Sequence, residues 1–422
     1  MNPSAHLNTR TGCVRRLLVL LLLTLPVVAQ AQFNYTTNNG TITITGYTGP
    51  GGVVVIPDMI DNLPVTGIGY AAFYHNTSLT SVTIGSSVTS IGQVAFDRCT
   101  SLTSVTIGSG VTSIGQYAFD RCFSLTEFVV DADNSTYSSV DGVLFDKNQT
   151  TLIQGPMRKA GDYTIPSGVM SIGGEAFYRN ASLTSVTIPN SVTYIGSFAF
   201  ERCVNLTNVT FGSGVTSIGY NAFSRTALTT VTIPNGVTYI DNQAFGNCAS
   251  LTSVEIPSSV TGIGGSAFAG CANLASVTIP SSVTDIGVLA FASCASLNSV
   301  YFQGNAPRVG VLVFEGSAIV TVYYLPGTTG WDPTFGYRPT TLWVLPAPLI
   351  LNNGPRFGVQ TNRFGFIISW AMNLPVVVEA CTDLAQPIWS PVGTNTLTDG
   401  SSYFSDPQWR NHPTRFYRLR SP

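Results

Sequence analysis

Leu102 to Cys122 reads LTSVTIGSGVTSIGQYAFDRC, and versions of this phrase return along most of the chain. Val105, Thr106 and Ile107 alternate apolar, polar, apolar, the period of two that marks a half-buried strand. Val and Ile are stiff at χ1 and suit a pleated surface. Gly108 ends this strand; Pro189, Pro234, Pro257 and Pro280 end others, since proline has no ladder donor to give. A second apolar pair follows, Val111 and Ile114, then Gly115 and the pair Ala118 and Phe119. The phenylalanine keeps time. Phe73, Phe96 and Phe119 are 23 residues apart, as are Phe177, Phe200 and Phe223, and then Phe245, Phe268, Phe291 and Phe314. The step from Phe223 to Phe245 is one residue short. Such a period predicts a solenoid, in which each coil buries its apolar side against its neighbours.

Stacked coils place successive phenylalanines about 4.8 Å apart, an aromatic spine beside small alanines. The recurrent glycine (Gly69, Gly92, Gly115, Gly173, Gly196, Gly219, Gly264, Gly287) asks for positive φ or close backbone approach. Asp241 fills that place once, and Asp tolerates the left-handed region. Between Phe119 and Phe177 the period is interrupted; Phe145 is expected to continue the spine while extra residues bulge on both sides. Asp131, Asp133 and Asp141 there do not fit a calcium loop, because Thr136 and Gly142 stand where the glycine and the bidentate Glu belong. A solvated loop with side-chain turns is expected, and no metal.

The motif Leu-x-x-Val-x-Ile-Pro-x-x-Val-x-x-Ile-Gly-x-x-Ala-Phe-x-x-Cys resembles the leucine-rich repeats of the BspA-like family, from about Gly40 to Val344. The resemblance implies a surface or secreted protein, with adhesion and binding of host or matrix proteins among the family's associations.

Only 9% of residues are charged and the net charge is −2, so no basic stripe for a nucleic-acid backbone is expected. Arg10, Arg15 and Arg16 precede the apolar run Leu17 to Leu25, and Ala29-Gln30-Ala31 offers a cleavage site: residues 1–31 read as a secretory signal peptide, cut after Ala31. No later stretch has transmembrane length. Cys99, Cys122, Cys203, Cys248, Cys271 and Cys294 share one repeat position. Neighbouring coils bring them close enough to bridge, but three in a row cannot all pair, and buried thiols packed as small hydrophobes are expected.

Three parts are expected: the signal peptide, a solenoid with terminal caps over residues 32–345, and a module over 349–422. Leu345-Pro346-Ala347-Pro348 reads as the linker between the last two, and Ala306 to Val344 as the C-terminal cap. In the module, strands are predicted at Phe364 to Trp370, Val376 to Ala380, Trp389 to Val392, Ser401 to Ser405 and Arg415 to Leu419, as a small antiparallel β-sandwich with Trp370, Trp389 and Trp409 in its core. The fold class is mainly β, a leucine-rich-repeat solenoid of short parallel strands followed by that module.

No phosphate loop, nucleophile elbow or metal-binding His pair is present, and His75 and His412 lie far apart. A non-enzymatic protein without cofactor is expected. Its binding face is predicted on the exposed strand positions Thr83, Thr106, Thr187, Thr210, Thr232, Glu255, Thr278 and Tyr301. The leading reading is a secreted or cell-surface monomer that binds an unidentified protein, matrix or glycan ligand on that face. A structural surface-layer role, carbohydrate binding and ice binding remain open alternatives. Glu255 and Val129 break the threonine lattice that ice binding would use, and Thr suits exposed strands anyway.

Overall fold

In a computed structural model, residues 32–317, 319–343, 348–351, 357–360, 363–369, 375–397 and 401–420 are described. The signal peptide and its cleavage site, Leu345 to Ala347 of the linker, and Trp370 lie outside them. The chain forms two compact units, Met1–Lys159 and Ala160–Pro422. Among the described residues nearly all regular structure is strand, and the one helical element is a short 3₁₀ turn, Trp409–Asn411.

The first unit opens with the antiparallel hairpin Phe33–Asn38 and Thr41–Tyr47. Asn39 (φ 48°) and Gly40 (φ 75°) make its tight turn, the Asn-Gly pair that two left-handed positions favour. Tyr47 stacks on Phe73 with ring centres 5.2 Å apart, so the hairpin closes the apolar end of the coils. Strands Gly52–Val55, Leu79–Thr83, Ser104–Ile107 and Glu127–Val130 then form a parallel sheet in register, Val82 beside Val105 and Val105 beside Phe128. A second parallel sheet of shorter strands, with Ile68, Ile91 and Ile114 in line, lies further along each coil.

The second unit repeats the plan. Leu183–Thr187 sits between Gly161–Thr164 and Asn208–Thr210, and the short strands from Ser171–Ile172 to Arg308–Val309 pair in parallel, one per coil. Phe177, Phe200, Phe223, Phe245, Phe268 and Phe291 are buried and stack 5.1 to 5.6 Å apart within 8° of parallel, with Phe314 at 6.2 Å closing the column. In the first unit Phe73, Phe96 and Phe119 stack likewise at 4.8 and 5.3 Å.

Phe145 does not continue that column. Phe128 meets Phe119 edge-on at 5.4 Å and ends the stack. The interruption is a meander of Tyr137–Val140, Val143–Asp146 and Thr151–Gln154, whose antiparallel pairing takes Phe145 into a different buried position. Asp133 N donates to Asp131 Oδ1 at 2.9 Å, a side-chain turn of the kind expected there.

Close approach, not positive φ, explains the repeat glycine. A Cβ on Gly115 would lie 2.4 Å from Gln93 N, and one on Gly196 or Gly287 2.5 Å from the backbone nitrogen of Gly174 or Gly265. None of these glycines is left-handed, nor is Asp241, whose Oδ1 accepts from Asn242 N at 2.6 Å. The left-handed residues fall instead two before and two after each phenylalanine: Val94 and Arg98, Tyr117 and Arg121, Phe198 and Arg202, Asn221 and Arg225. At this bend alternate N–H groups turn outward. Val94, Phe96 and Arg98 donate to Gln116 O, Ala118 O and Asp120 O on the next coil at 3.1, 2.8 and 2.9 Å.

Strands Ser299–Phe302, Thr321–Tyr324 and Arg338–Leu342 carry the parallel sheet through the last coils, over an aromatic cluster of Phe302, Tyr324, Trp331 and Phe335. Beyond them lie two antiparallel sheets. One holds Leu349–Leu351, Gly358–Gln360, Arg363–Ser369 and Ser401–Asp406; the other holds Pro375–Cys381, Ser390–Thr396 and Phe416–Arg420. Their common core is Phe366, Ile368, Val376, Val378, Leu397 and Phe404. Trp389 and Trp409 are only half-buried, against the expectation of core packing; Arg418 lies over the Trp389 ring, 4.5 Å from its centre. Ser369 Oγ donates to Pro326 O at 2.6 Å, tying these sheets to the last coils.

A spine of this kind concentrates stability inside the coils. Phe200→Ala should cost about 3–5 kcal/mol by opening a cavity between two stacked rings. Thr187→Ala, on an exposed strand position, should cost under about 1 kcal/mol. Denaturant unfolding of both variants checks the inside–outside assignment, which equal costs would contradict.

Candidate binding face

Parallel register turns one repeat position into a column. In the first unit Thr83 lies beside Thr106, flanked by Val55 on one side and Val129 on the other. In the second unit Thr187 lies between Thr164 and Thr210. Thr232 faces Glu255, and Tyr301 lies between Thr278 and Tyr323. Every predicted face residue therefore points outward from a strand whose alternate side chains, such as Val186, Val254 and Val300, are buried.

The face is not one unbroken sheet. Hydrogen-bonded pairing stops between Asn208–Thr210 and Thr230–Thr232, and again between Ser253–Glu255 and Ser276–Ile279. The first break falls in the coil that is one residue short, where a ladder cannot stay in step on both sides. Nothing in the structure explains the second. Sequence reasoning missed Thr164 and Tyr323, which belong to the same column, because each lies where the repeat decays; the apolar–polar alternation around Val322 was the available signal. Tyr323 changes the character of the face. Tyr301 and Tyr323 stack at 4.9 Å, and Trp343 meets Tyr301 at 4.7 Å, so the threonine column ends in three half-buried rings.

Threonines on the coils have two fates. Those at one edge of the strands staple coil to coil: Thr103 Oγ1 donates to Thr80 O at 2.8 Å, Thr126 to Thr103 O at 2.9 Å, and Thr252 to Thr229 O at 3.0 Å. A second ladder runs beside the short strands, through Thr89, Thr216 and Thr261. The hydroxyls of Thr83, Thr106, Thr187, Thr210 and Thr278 make no hydrogen bond to another described residue. Thr232 is the exception on the face, donating to Glu255 Oε2 at 3.1 Å.

The cysteine column lies three residues after each phenylalanine, inside the coils. Cys99, Cys122, Cys203, Cys271 and Cys294 donate their thiols to the carbonyl oxygens of Phe73, Phe96, Phe177, Phe245 and Phe268, at 3.0 to 3.3 Å. Cys248 does the same to Phe223 O at 3.2 Å. Ser317 takes over the task in the last such coil, donating to Phe291 O at 2.9 Å. All six cysteines are buried and unbridged. Burial pushes their thiols upward, Cys248 to about 11, Cys99 and Cys294 to about 12, and Cys122, Cys203 and Cys271 upward as well. Neutral, hydrogen-bonded thiols of this kind are structural donors, not nucleophiles. Among the described residues no group of three His, Cys, Asp or Glu side chains could hold a metal, and no helix is long and apolar enough to cross a membrane.

The family model of the BspA-type leucine-rich repeat region matches residues 61–152, 158–229 and 216–331. Solved structures with related chains include a leucine-rich repeat protein from Bacteroides ovatus, 27% identical over 69% of this chain and 70% of that one, with a TM-score of 0.48. A leucine-rich cell surface protein from Faecalibacterium prausnitzii is 26% identical over 61% of this chain and 93% of its own, TM-score 0.37. A leucine-rich repeat protein of T. pallidum is 29% identical over 58% of this chain and 88% of its own, TM-score 0.30. No curated protein matches.

The thiols give the fold a signature in alkali. Above pH 9 the unfolded chain loses thiol protons that the folded chain keeps, so the unfolded state binds fewer protons and stability falls as pH rises from about 9 toward 12. Each such cysteine adds a slope of about 1.4 kcal/mol per pH unit. Cys271→Ala should therefore lose about 1–2 kcal/mol less than the parent between pH 8.5 and 10.5. Denaturant midpoints across that range check it, with tyrosine ionisation common to both proteins.

Proposed function

The chain belongs to the BspA-type leucine-rich-repeat family, and on that premise we propose that it is a secreted or cell-surface binding protein whose strand face recognises another protein of the surface or matrix. One observation carries the reading. The edge threonines spend their hydroxyls on carbonyls of the preceding coil, whereas Thr83, Thr106, Thr187, Thr210 and Thr278 keep theirs unspent within the chain. Within each unit, free hydroxyls on a nearly uncharged strand face can make many weak hydrogen bonds without the desolvation cost of burying charge. Tyr301, Tyr323 and Trp343 add aromatic area at one end of the second unit's row, and rings of this kind anchor protein interfaces.

In this reading residues 1–31 direct export and are removed after Ala31. The capped solenoid, 32–345, carries the recognition face, and the module, 349–422, spaces or attaches it. The protein works as a binding module and not as an enzyme, because its thiols are sealed inside the coils and its acids are scattered. Ice binding is disfavoured by the break at Glu255 and by the aromatic end of the row.

Binding of the full chain to a panel of immobilised matrix proteins (fibronectin, laminin and collagen) tests this. Paired Thr187→Arg and Thr210→Arg substitutions should weaken binding at least tenfold, about 1.4 kcal/mol. Thr193→Arg, on the short-strand side of the same coils, should leave it unchanged. Absence of binding to every member, or equal loss in both variants, would sink the strand-face proposal.

A further inference from the structure

Two residues after each phenylalanine the chain places a second column, which the strand face does not use. In the second unit three consecutive coils carry Arg179, Arg202 and Arg225 there. Their backbones share one left-handed conformation (φ 60°, 59° and 59°) and are locked coil to coil, Arg179 N donating to Glu201 O, Arg202 N to Ser224 O and Arg225 N to Gly246 O at 2.8 to 2.9 Å. The spine beside them rises 5.3 and then 5.1 Å, so the three side chains leave the coils at about 5 Å intervals.

The first unit supplies an internal comparison. Arg98 and Arg121 hold the equivalent places, and the residue before each is an aspartate, Asp97 or Asp120, both buried. Arg121 lies 3.1 Å from Asp120 and 3.9 Å from Asp97. Two arginines there stand beside two carboxylates, both within reach of Arg121, while Arg98 lies over the Tyr74 ring at 5.9 Å. In the second unit the preceding residues are Tyr178, Glu201 and Ser224. Glu201 reaches Arg202 at 3.5 Å; Arg179 lies over the Tyr178 ring at 5.0 Å; Arg225 is exposed, and no described side chain pairs with it. Three guanidiniums therefore share one carboxylate. A purely structural column gains nothing from that imbalance, since like charges on neighbouring coils repel.

We infer that Arg179, Arg202 and Arg225 form an anion-binding stripe for a linear sulfated polysaccharide. Arginine forks match sulfate oxygens two at a time, and the coil rise sets their spacing along an extended chain. A nucleic acid fits less well. The ring within the stripe, Tyr178, already carries Arg179 over one face, which leaves a base less of it to stack on. The stripe also stops after three coils, where Asn247 and Gly270 take the place of arginine.

Labelled dextran sulfate, titrated into the full chain between about 25 and 200 mM NaCl, tests the stripe; three contacts on a flexible polyanion give a slope of about −2 in log K against log salt. Arg225→Gln alone, at an exposed position that folding does not need, should flatten the slope by about 0.7. The triple variant Arg179→Gln, Arg202→Gln, Arg225→Gln should lose more than tenfold in affinity. Arg98→Gln with Arg121→Gln should bind as the parent does. Binding no tighter than to neutral dextran, unchanged affinity in Arg225→Gln and the triple variant, equal weakening by the Arg98 and Arg121 changes, or tighter binding of a single-stranded oligonucleotide of equal charge would each overturn the inference.

Discussion

Everything in the repeat serves one constraint: at the Ala–Phe bend the backbones of successive coils must come within hydrogen-bonding distance while every ring stays in its stack. The bend meets it by alternating the direction of its N–H groups. Phe96 N reaches Ala118 O on the next coil, while Cys99 N turns back to Phe96 O. That alternation needs left-handed backbone on either side of the phenylalanine, at a cost of order 1 kcal/mol for each non-glycine residue. The offset comes from the rings, each buried between two others, and from the cysteine, serine or threonine whose side chain satisfies the phenylalanine carbonyl. Phe96 O and Phe268 O already accept from Cys99 N and Cys271 N, so there the side chain fills a second lone pair, whereas Phe291 O relies on Ser317.

Because register is fixed, a coil position has one fate along a whole unit, and columns sort by what their side chains spend themselves on. Phenylalanine and cysteine columns are consumed by the core. The edge threonines are consumed by carbonyls of the coil before. The strand-face threonines and the arginines of the second unit are what the architecture leaves over. A surface position whose hydrogen-bonding or charge capacity is unspent, next to columns where the same residue type is spent, points to a partner more strongly than exposure alone.

Most of the fold was legible in the sequence, because the period, the Val-x-Ile alternation and the proline stops act locally. What was misread involved neighbours that a single repeat does not reveal. The glycine at 115 is small because Gln93 N lies where its Cβ would be, a contact made 22 residues away. Phe145 has the right residue type at a tempting distance, yet the antiparallel meander takes it out of the stack. The short coil before Phe245 was visible as a count, but its interruption of the strand ladder was not. Eight outward strand positions of the column, from Thr83 to Tyr301, were legible from the alternation; Thr164 and Tyr323 were lost where the repeat decays. The charge stripe was hidden by composition, since a chain with 9% charged residues and net charge −2 conceals three arginines that only stacking brings together.

The closing segment from Arg415 to Arg420 shows why arginine density alone does not mark a site. Arg418 and Arg420 both reach Glu379, at 2.7 and 3.0 Å, and Arg415 reaches Asp406 at 3.1 Å, where Tyr417 also donates. Each acid is buried on a different strand from the arginines it holds. Leaving either carboxylate without its partners would expose an uncompensated charge to a poorly solvated site, so these pairs fasten the last strand to its neighbours. Three cationic side chains there answer to two buried acids. Along Phe177, Phe200 and Phe223 the ratio is three to one, and the acid, Glu201, touches only the middle arginine. The difference lies in where the opposite charge is, a property of the stack that no stretch of sequence carries by itself.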